Sequence, residues 1–86
     1  MILLPWTDFN GDQFIRLTPS GICKAAIFCG ESGYIGYSAF INGALIAEGV
    51  IKDGLVEDVM AIIDAAFVKA GVRLLGEEHR YMTVLT

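Results

Sequence analysis

The chain's single histidine and its serines are the first candidates for chemistry. Residues 30–33, Gly-Glu-Ser-Gly, match the start of a G-x-S-x-G nucleophile motif with Ser32 as the nucleophile. That motif needs a final glycine and a strand-to-helix turn, but Tyr34 takes the glycine position and the segment joins two predicted strands. His79 follows Glu77 and Glu78 in a charged turn, where we expect it to be solvated. No spacing sets a nucleophile beside a base, so we predict that the protein is not an enzyme and has no catalytic residues.

The two cysteines, Cys23 and Cys29, fall in one predicted strand. At about 3.3 Å per residue their Cα atoms would lie about 20 Å apart, which is beyond the reach of an internal disulfide. The nearest cation, Lys24, should point to the opposite face of the strand. We therefore predict buried free thiols, not nucleophiles, which agrees with a reducing compartment and a cytoplasmic protein.

Two segments have partial ligand-binding patterns. Asp8, Asn10 and Asp12 alternate oxygen side chains like the first half of a calcium loop, but Gln13 stands where the loop requires glycine. Glycines also recur at every third position from residue 30 to residue 36, yet no helix follows whose N-terminus could bind a phosphate. We expect no metal site and no bound cofactor.

The aromatic residues of the predicted sheet are the feature that most favours binding. Bases of single-stranded nucleic acids stack on such residues, but those platforms also carry clustered Arg and Lys. Here the six Lys and Arg are scattered and the net charge is −4, so nucleic acid is disfavoured. Tyrosine and tryptophan are enriched in the energetic centres of protein interfaces. The predicted interface residues are Trp6, Tyr34, Tyr37, Phe40 and Leu45.

The composition also favours association with another chain. Ala, Val, Ile, Leu, Met, Phe, Trp, Cys and Gly together make up 54 of the 86 residues, or about 63%, against about 45–50% for the same set in typical domains. Because so small a domain buries only about 60% of its extended surface, the excess should form exposed patches that mark an interaction site. The longest uncharged stretch, residues 32–47, is too short to span a bilayer, and residues 2–4 are too short for a signal peptide.

The strongest local signal is a β-hairpin made of residues 34–41 and 44–51. Asn42 and Gly43 between them favour a type I′ turn, because both central residues need positive φ. A two-residue turn predicts four cross-strand pairs: Ile41 with Ala44, Phe40 with Leu45, Ala39 with Ile46, and Ser38 with Ala47. Neither face of this hairpin is polar, so we predict that both faces are covered.

The remaining pattern predicts the other elements. Earlier strands are expected near residues 13–18 and 22–29, and the apolar spacing of residues 55–70 predicts one amphipathic helix with Asp53 or Gly54 as N-cap. Short strands are expected at residues 72–75 and 80–85. The fold class is therefore α+β in a single domain, residues 1–86: an antiparallel meander with one helix on one face, preceded by a loop-like arm, residues 1–12.

These observations lead to a non-enzymatic interaction module, most simply a homodimer formed through an apolar and aromatic sheet surface. One alternative is an inhibitor or adaptor that docks an acidic surface on a basic protein. Another is a binder of a small ligand or a single nucleic-acid strand that uses the sheet aromatics. The acidic surface would comprise Glu31, Glu57, Asp58, Asp64, Glu77 and Glu78.

Overall fold

The computed structural model describes residues 2–75 and shows an α+β fold. A five-stranded antiparallel meander, whose strands lie side by side in chain order, forms the main sheet. Its strands are β2 (Thr7–Phe9), β3 (Gln13–Leu17), β4 (Cys23–Cys29), β5 (Tyr34–Ile41) and β6 (Ala44–Lys52). One helix, α1 (Val56–Lys69), packs against the sheet, and the short strands β1 (Ile2–Leu3) and β7 (Arg73–Leu74) form a parallel pair. The predicted fold class is confirmed.

The hairpin of β5 and β6 turns at Asn42 and Gly43, whose φ values of 50° and 81° are those that the turn prediction requires. The predicted pairs at residues 40–45 and 41–44 are present. Beyond them the prediction is wrong: a bulge leaves Ile46 without a direct partner, so Ala39 faces Ala47 and Ser38 faces Glu48. Because the side-chain period of a strand is two, this one extra residue moves every later side chain of β6 to the opposite face.

Helix α1 agrees with the predicted helix but begins later than its predicted cap. Leu55, not Asp53 or Gly54, occupies the N-cap position, and no side chain caps the first turn. Glu57 and Asp58 lie in that turn, where negative charge interacts favourably with the helix dipole. The helix ends at Lys69. Gly71, with φ of 88°, follows the C-cap Ala70, and the Val72 N–H donates to the Phe67 carbonyl at 2.9 Å, as in a Schellman cap.

The core lies between α1 and one face of the sheet. The helix contributes four of its apolar side chains: Val59, Met60, Ile63 and Phe67. The sheet contributes alternate residues of β3, β4 and β5, among them Phe14, Ile27 and Ala39. At 14 residues α1 is too short to cross a bilayer, and residues 2–75 contain no other helix that meets the length and apolarity required.

The N-terminal residues are more ordered than the loop-like arm that was expected. The Leu4 N–H donates to the Leu17 carbonyl at 2.9 Å, so the chain from β1 to β2 runs along β3. The Leu75 N–H in turn donates to the Leu3 carbonyl at 2.9 Å, which places β7 beside β1. The predicted turn at residues 76–79 and the predicted strand at residues 80–85 lie outside the described residues.

Candidate functional site

The face of the sheet turned away from α1, called the outer face below, is the candidate site. It consists of the side chains of β3 to β6 that alternate with the buried ones. Its members are Gln13, Ile15, Leu17, Lys24, Ala26, Phe28, Tyr34, Gly36, Ser38, Phe40, Leu45, Glu48, Val50 and Lys52.

Large apolar side chains of this face are open to solvent. Val50 is 66% exposed, Phe28 51% and Leu45 47%. Within residues 2–75 the helix packs on the opposite side, and no described element covers the outer face. The prediction that both faces of the hairpin are covered is therefore met on one face only within the described chain. An exposed apolar surface that continues over four strands is typical of an interaction site.

The outer face is uneven because several residues in the middle of the sheet have small side chains. Cross-strand pairing sets Ile15, Ala26, Ser38 and Glu48 in one row, and Phe28 beside Gly36 in the next. A groove of about 400 Å³ lies over the first row between Ile15, Phe28 and Phe40. A second groove of about 560 Å³ lies over Gly36 and is bounded by Phe28 and Val50. Phe28 stands as a ridge between the two grooves.

The charges on the outer face are few and of mixed sign. It carries Lys24, Lys52 and Glu48, a sum of +1, although the whole chain has a formal charge of −4. The Lys52 ammonium lies 5.4 Å from the centroid of the Tyr34 ring, a favourable cation–π distance that orients this ring. The acidic excess therefore lies elsewhere on the protein.

Three of the five predicted interface residues lie on the outer face: Tyr34, Phe40 and Leu45. Tyr37 does not, because it belongs to the helix side of β5 and packs against the core. Its ring lies over Gly49, where an added Cβ would come within 2.7 Å of the Tyr37 hydroxyl.

Trp6 was also predicted to belong to the interface, and that placement is wrong. The side chain is 1% exposed because the chain turns inward between β1 and β2 and inserts the indole into the core. A tryptophan in a short polar segment gives no sequence signal of such insertion.

Sequence reasoning missed Phe28, Val50 and Leu17 as members of the same surface. For Phe28 the sequence did indicate the outer face, because strand alternation places it opposite to Cys29 and on the same face as Lys24. For Val50 it was not, because the bulge that sets its direction has no distinctive sequence pattern.

The predicted acidic surface is only partly exposed. Glu31, in a 3-10 turn, is exposed, as are Glu57 and Asp58 in the first turn of α1. Asp64 is fully buried, so its assignment to the surface is wrong. The position of Asp64 in the helix lies at the border between the buried stripe and the exposed side. Its side chain points inward, where it has a partner in the core. Glu77 and Glu78 lie outside the described residues.

That partner is Arg16, and the pair forms a buried polar cluster with Trp6. Arg16 Nη1 lies 3.0 Å from Asp64 Oδ1, and the Trp6 indole N–H donates to the same oxygen at 3.2 Å. Arg16 Nη2 also donates to the Leu3 carbonyl at 3.5 Å. Burial lowers the pKa of Arg16, while the adjacent carboxylate of Asp64 acts in the opposite direction. The cluster joins β3, α1 and the N-terminal segment, and its enclosure indicates a structural role.

The two cysteines are thiols, not joined in a disulfide, and lie on the helix side of β4. Cys23 is buried and Cys29 is half-buried. Burial raises the pKa of both thiols from the ordinary value of 9.0, and Asp12 and Asp8 raise that of Cys29 further. Because the thiolate is the reactive form, both should react slowly at neutral pH.

We expect iodoacetamide at pH 8 to modify Cys29 before Cys23, and both at least tenfold more slowly than in the urea-unfolded chain. Peptide mass mapping over time distinguishes the two sites. The raised folded-state pKa values also mean that the thiols contribute their full stabilisation below the unfolded-state pKa of 9.0, and that this contribution falls as pH rises from there through the folded-state pKa. Equal labelling rates in the folded and unfolded protein would contradict the burial of these thiols.

The remaining candidate motifs have local roles. Asp8 accepts a hydrogen bond from the Gly11 N–H at 2.7 Å, which closes a turn between β2 and β3. Across residues 2–75, no three His, Cys, Asp or Glu side chains lie close enough together to hold a metal ion. Residues 30–33 connect β4 to β5, two strands, as the sequence indicated.

Comparison with known proteins found no matching family model, no similar curated protein and no similar solved structure. The functional argument therefore depends on the geometry of the outer face.

Proposed function

We propose that this protein is a non-enzymatic interaction module that associates with a second copy of itself through the outer face. The observation that carries the proposal is the exposure of large apolar side chains, including Phe28, Leu45 and Val50, over four adjacent strands. Covering these side chains removes apolar surface from water, at about 25 cal/mol for each Å².

The size of the outer face is sufficient for a dimer. Four strands at about 4.8 Å spacing and about seven residues of length give a projected area of about 20 Å by 23 Å. Because the side chains protrude from the sheet, the accessible area of the face is larger than this projected area. Two such faces together reach the lower part of the range of about 1,200–2,000 Å² that stable interfaces bury.

The charges of the face also favour a second copy. A two-fold interface brings the same patch of both chains together, so a patch of one charge sign would repel itself. The outer face has charges of both signs, Lys24, Lys52 and Glu48, so two copies of it do not bring patches of one sign together.

The exposed side of α1 is a weaker candidate for the interface. It presents Ile62 and Val68, but these side chains point about 120° apart around the helix, with Asp58 and Lys69 between them. The acidic-adaptor alternative has less support as well, because Asp64 is buried in an ion pair and does not contribute to an acidic surface.

A matched pair of variants tests the proposal. Leu45 on the outer face and Ile62 on α1 are 47% and 45% exposed, so glutamate at either position should be tolerated by the monomer. We expect Leu45→Glu to raise the dimer dissociation constant at least 30-fold, because a charge would be buried without a partner. Ile62→Glu should leave it unchanged.

Sedimentation equilibrium across a dilution series measures both constants, and circular dichroism checks that both variants are folded. The opposite pattern, with loss of association only in Ile62→Glu, would place the interface on the helix. A wild-type chain that is monomeric at all concentrations would refute self-association.

A further inference from the structure

We infer that Phe28 of each copy inserts into the depression above Gly36 of the partner copy. The inference rests on the proposed self-association and goes further, because it assigns the residues that determine how the two faces fit. It follows from a protrusion and an unfilled depression lying side by side on one surface.

No residue in the described part of the chain, residues 2–75, fills the depression above Gly36. A Cβ built on this glycine would meet no atom within 4 Å, so the neighbouring Phe28 ring does not lie over it. Gly49 on the next strand differs, since on the helix side the Tyr37 ring already fills the space above it. Gly36 also lacks the positive φ that would itself require glycine. Residues 2–75 therefore give no steric or conformational reason for the missing side chain, whereas an inserted partner ring does.

Phe28 has the properties of the inserting group. It is 51% exposed and forms one wall of the 560 Å³ groove over Gly36. An exposed phenylalanine in the centre of a sheet gains most when a second surface covers it, and aromatic anchors in well-packed pockets provide much of the energy of protein interfaces.

A two-fold axis makes this fit reciprocal. Phe28 and Gly36 are direct cross-strand partners on β4 and β5. Consider a two-fold axis that lies between the two facing sheets, runs parallel to the strands and passes above the line midway between β4 and β5. Rotation about this axis brings each Phe28 over the partner's Gly36. The two sheets then stack in the aligned arrangement common in β-sandwiches, about 10 Å apart. The same axis brings Leu17 of β3 towards the partner's Leu45 on β6.

Of the charged residues on the face, Lys24 fits this axis, whereas Glu48 comes over the partner's Ile15. Lys24 and Phe40 are cross-strand partners in the row beyond Ala26 and Ser38, so the same rotation brings each Lys24 over the partner's Phe40. An ammonium group above an aromatic ring is a favourable contact.

Three variants of the full chain test the fit. Phe28→Ala removes the protruding ring, Gly36→Phe fills the depression, and the double variant exchanges the two. Both substitutions are at exposed or open positions of the sheet, so the monomer should stay folded. We expect each single variant to raise the dimer dissociation constant at least tenfold, and the double variant to return to within about threefold of wild type.

Whether Gly36→Phe raises or lowers the dimer dissociation constant decides whether Phe28 inserts above the partner's Gly36. Association driven only by apolar area would strengthen when a phenylalanine is added to the face, whereas the proposed fit predicts that it weakens. If wild type is a dimer and Gly36→Phe associates as tightly or more tightly, this inference is overturned while self-association stands. If wild type is a monomer, the proposed function itself fails.

Discussion

Asp64→Ala is expected to destabilise the domain by about 3–5 kcal/mol, because it leaves the Arg16 guanidinium buried without its anion. The same change removes the acceptor of the Trp6 indole N–H. A domain of 86 residues has a total stability of about 4–13 kcal/mol. The variant should therefore be largely unfolded or unfold at much lower urea concentration, as measured by circular dichroism.

Two controls distinguish the buried charge from general damage to α1. Asp58→Ala, on the exposed first turn of the same helix, should cost less than about 1 kcal/mol, through the loss of its interaction with the helix dipole. Replacing both charges, as Arg16→Met with Asp64→Leu, should be more stable than Asp64→Ala alone, since no unpaired charge stays in the core. A cost below about 1 kcal/mol for Asp64→Ala would show that the pair contributes little to the fold.

Trp6→Ala is expected to cost about 3–5 kcal/mol, the usual range for removing a large aromatic side chain from a core. The indole is 1% exposed and touches the helix through Asp64, so its loss creates a cavity and leaves a buried carboxylate oxygen with one donor fewer. Trp6 is the only tryptophan in the chain. Urea unfolding of the variant must therefore be followed by circular dichroism, not by tryptophan fluorescence.

Trp6→Phe separates packing from hydrogen bonding at this position. It retains most of the apolar volume but not the indole N–H, so we expect a cost of about 1–3 kcal/mol, clearly less than that of alanine. Association should be unaffected by Trp6→Phe under conditions where the protein is folded, because the side chain does not reach the outer face. A folded variant with weakened association would return Trp6 to the interface.

These two predictions bear on how association experiments are interpreted. Asp64 and Trp6 were assigned to surfaces by their sequence patterns, and a variant at either position that failed to associate would seem to support that assignment. The structure attributes such a failure to unfolding, since both side chains belong to one buried cluster. Substitutions at Leu45, Phe28 and Gly36 avoid this difficulty because they change positions that the monomer leaves exposed or open.

Local signals in the sequence determined the elements that depend on neighbouring residues. Three features follow from preferences within a few residues: the Asn42–Gly43 turn, the apolar spacing of α1, and the end of the helix just before Gly71. The meander and the fold class follow from these elements, as do the positions of Tyr34, Phe40 and Leu45 on one face near the turn.

Tertiary structure alone decided the features that depend on distant partners. The direction of Asp64 is set by Arg16, 48 residues earlier in the chain, and that of Trp6 by the same carboxylate 58 residues later. The bulge at Ile46 sets which face Val50 joins, and packing of β6 against the core selects it. The outer face and its depression above Gly36 could be identified only from the alignment of four strands. The periodicity of a strand indicates which residues share a face, but it does not indicate which face the rest of the chain covers.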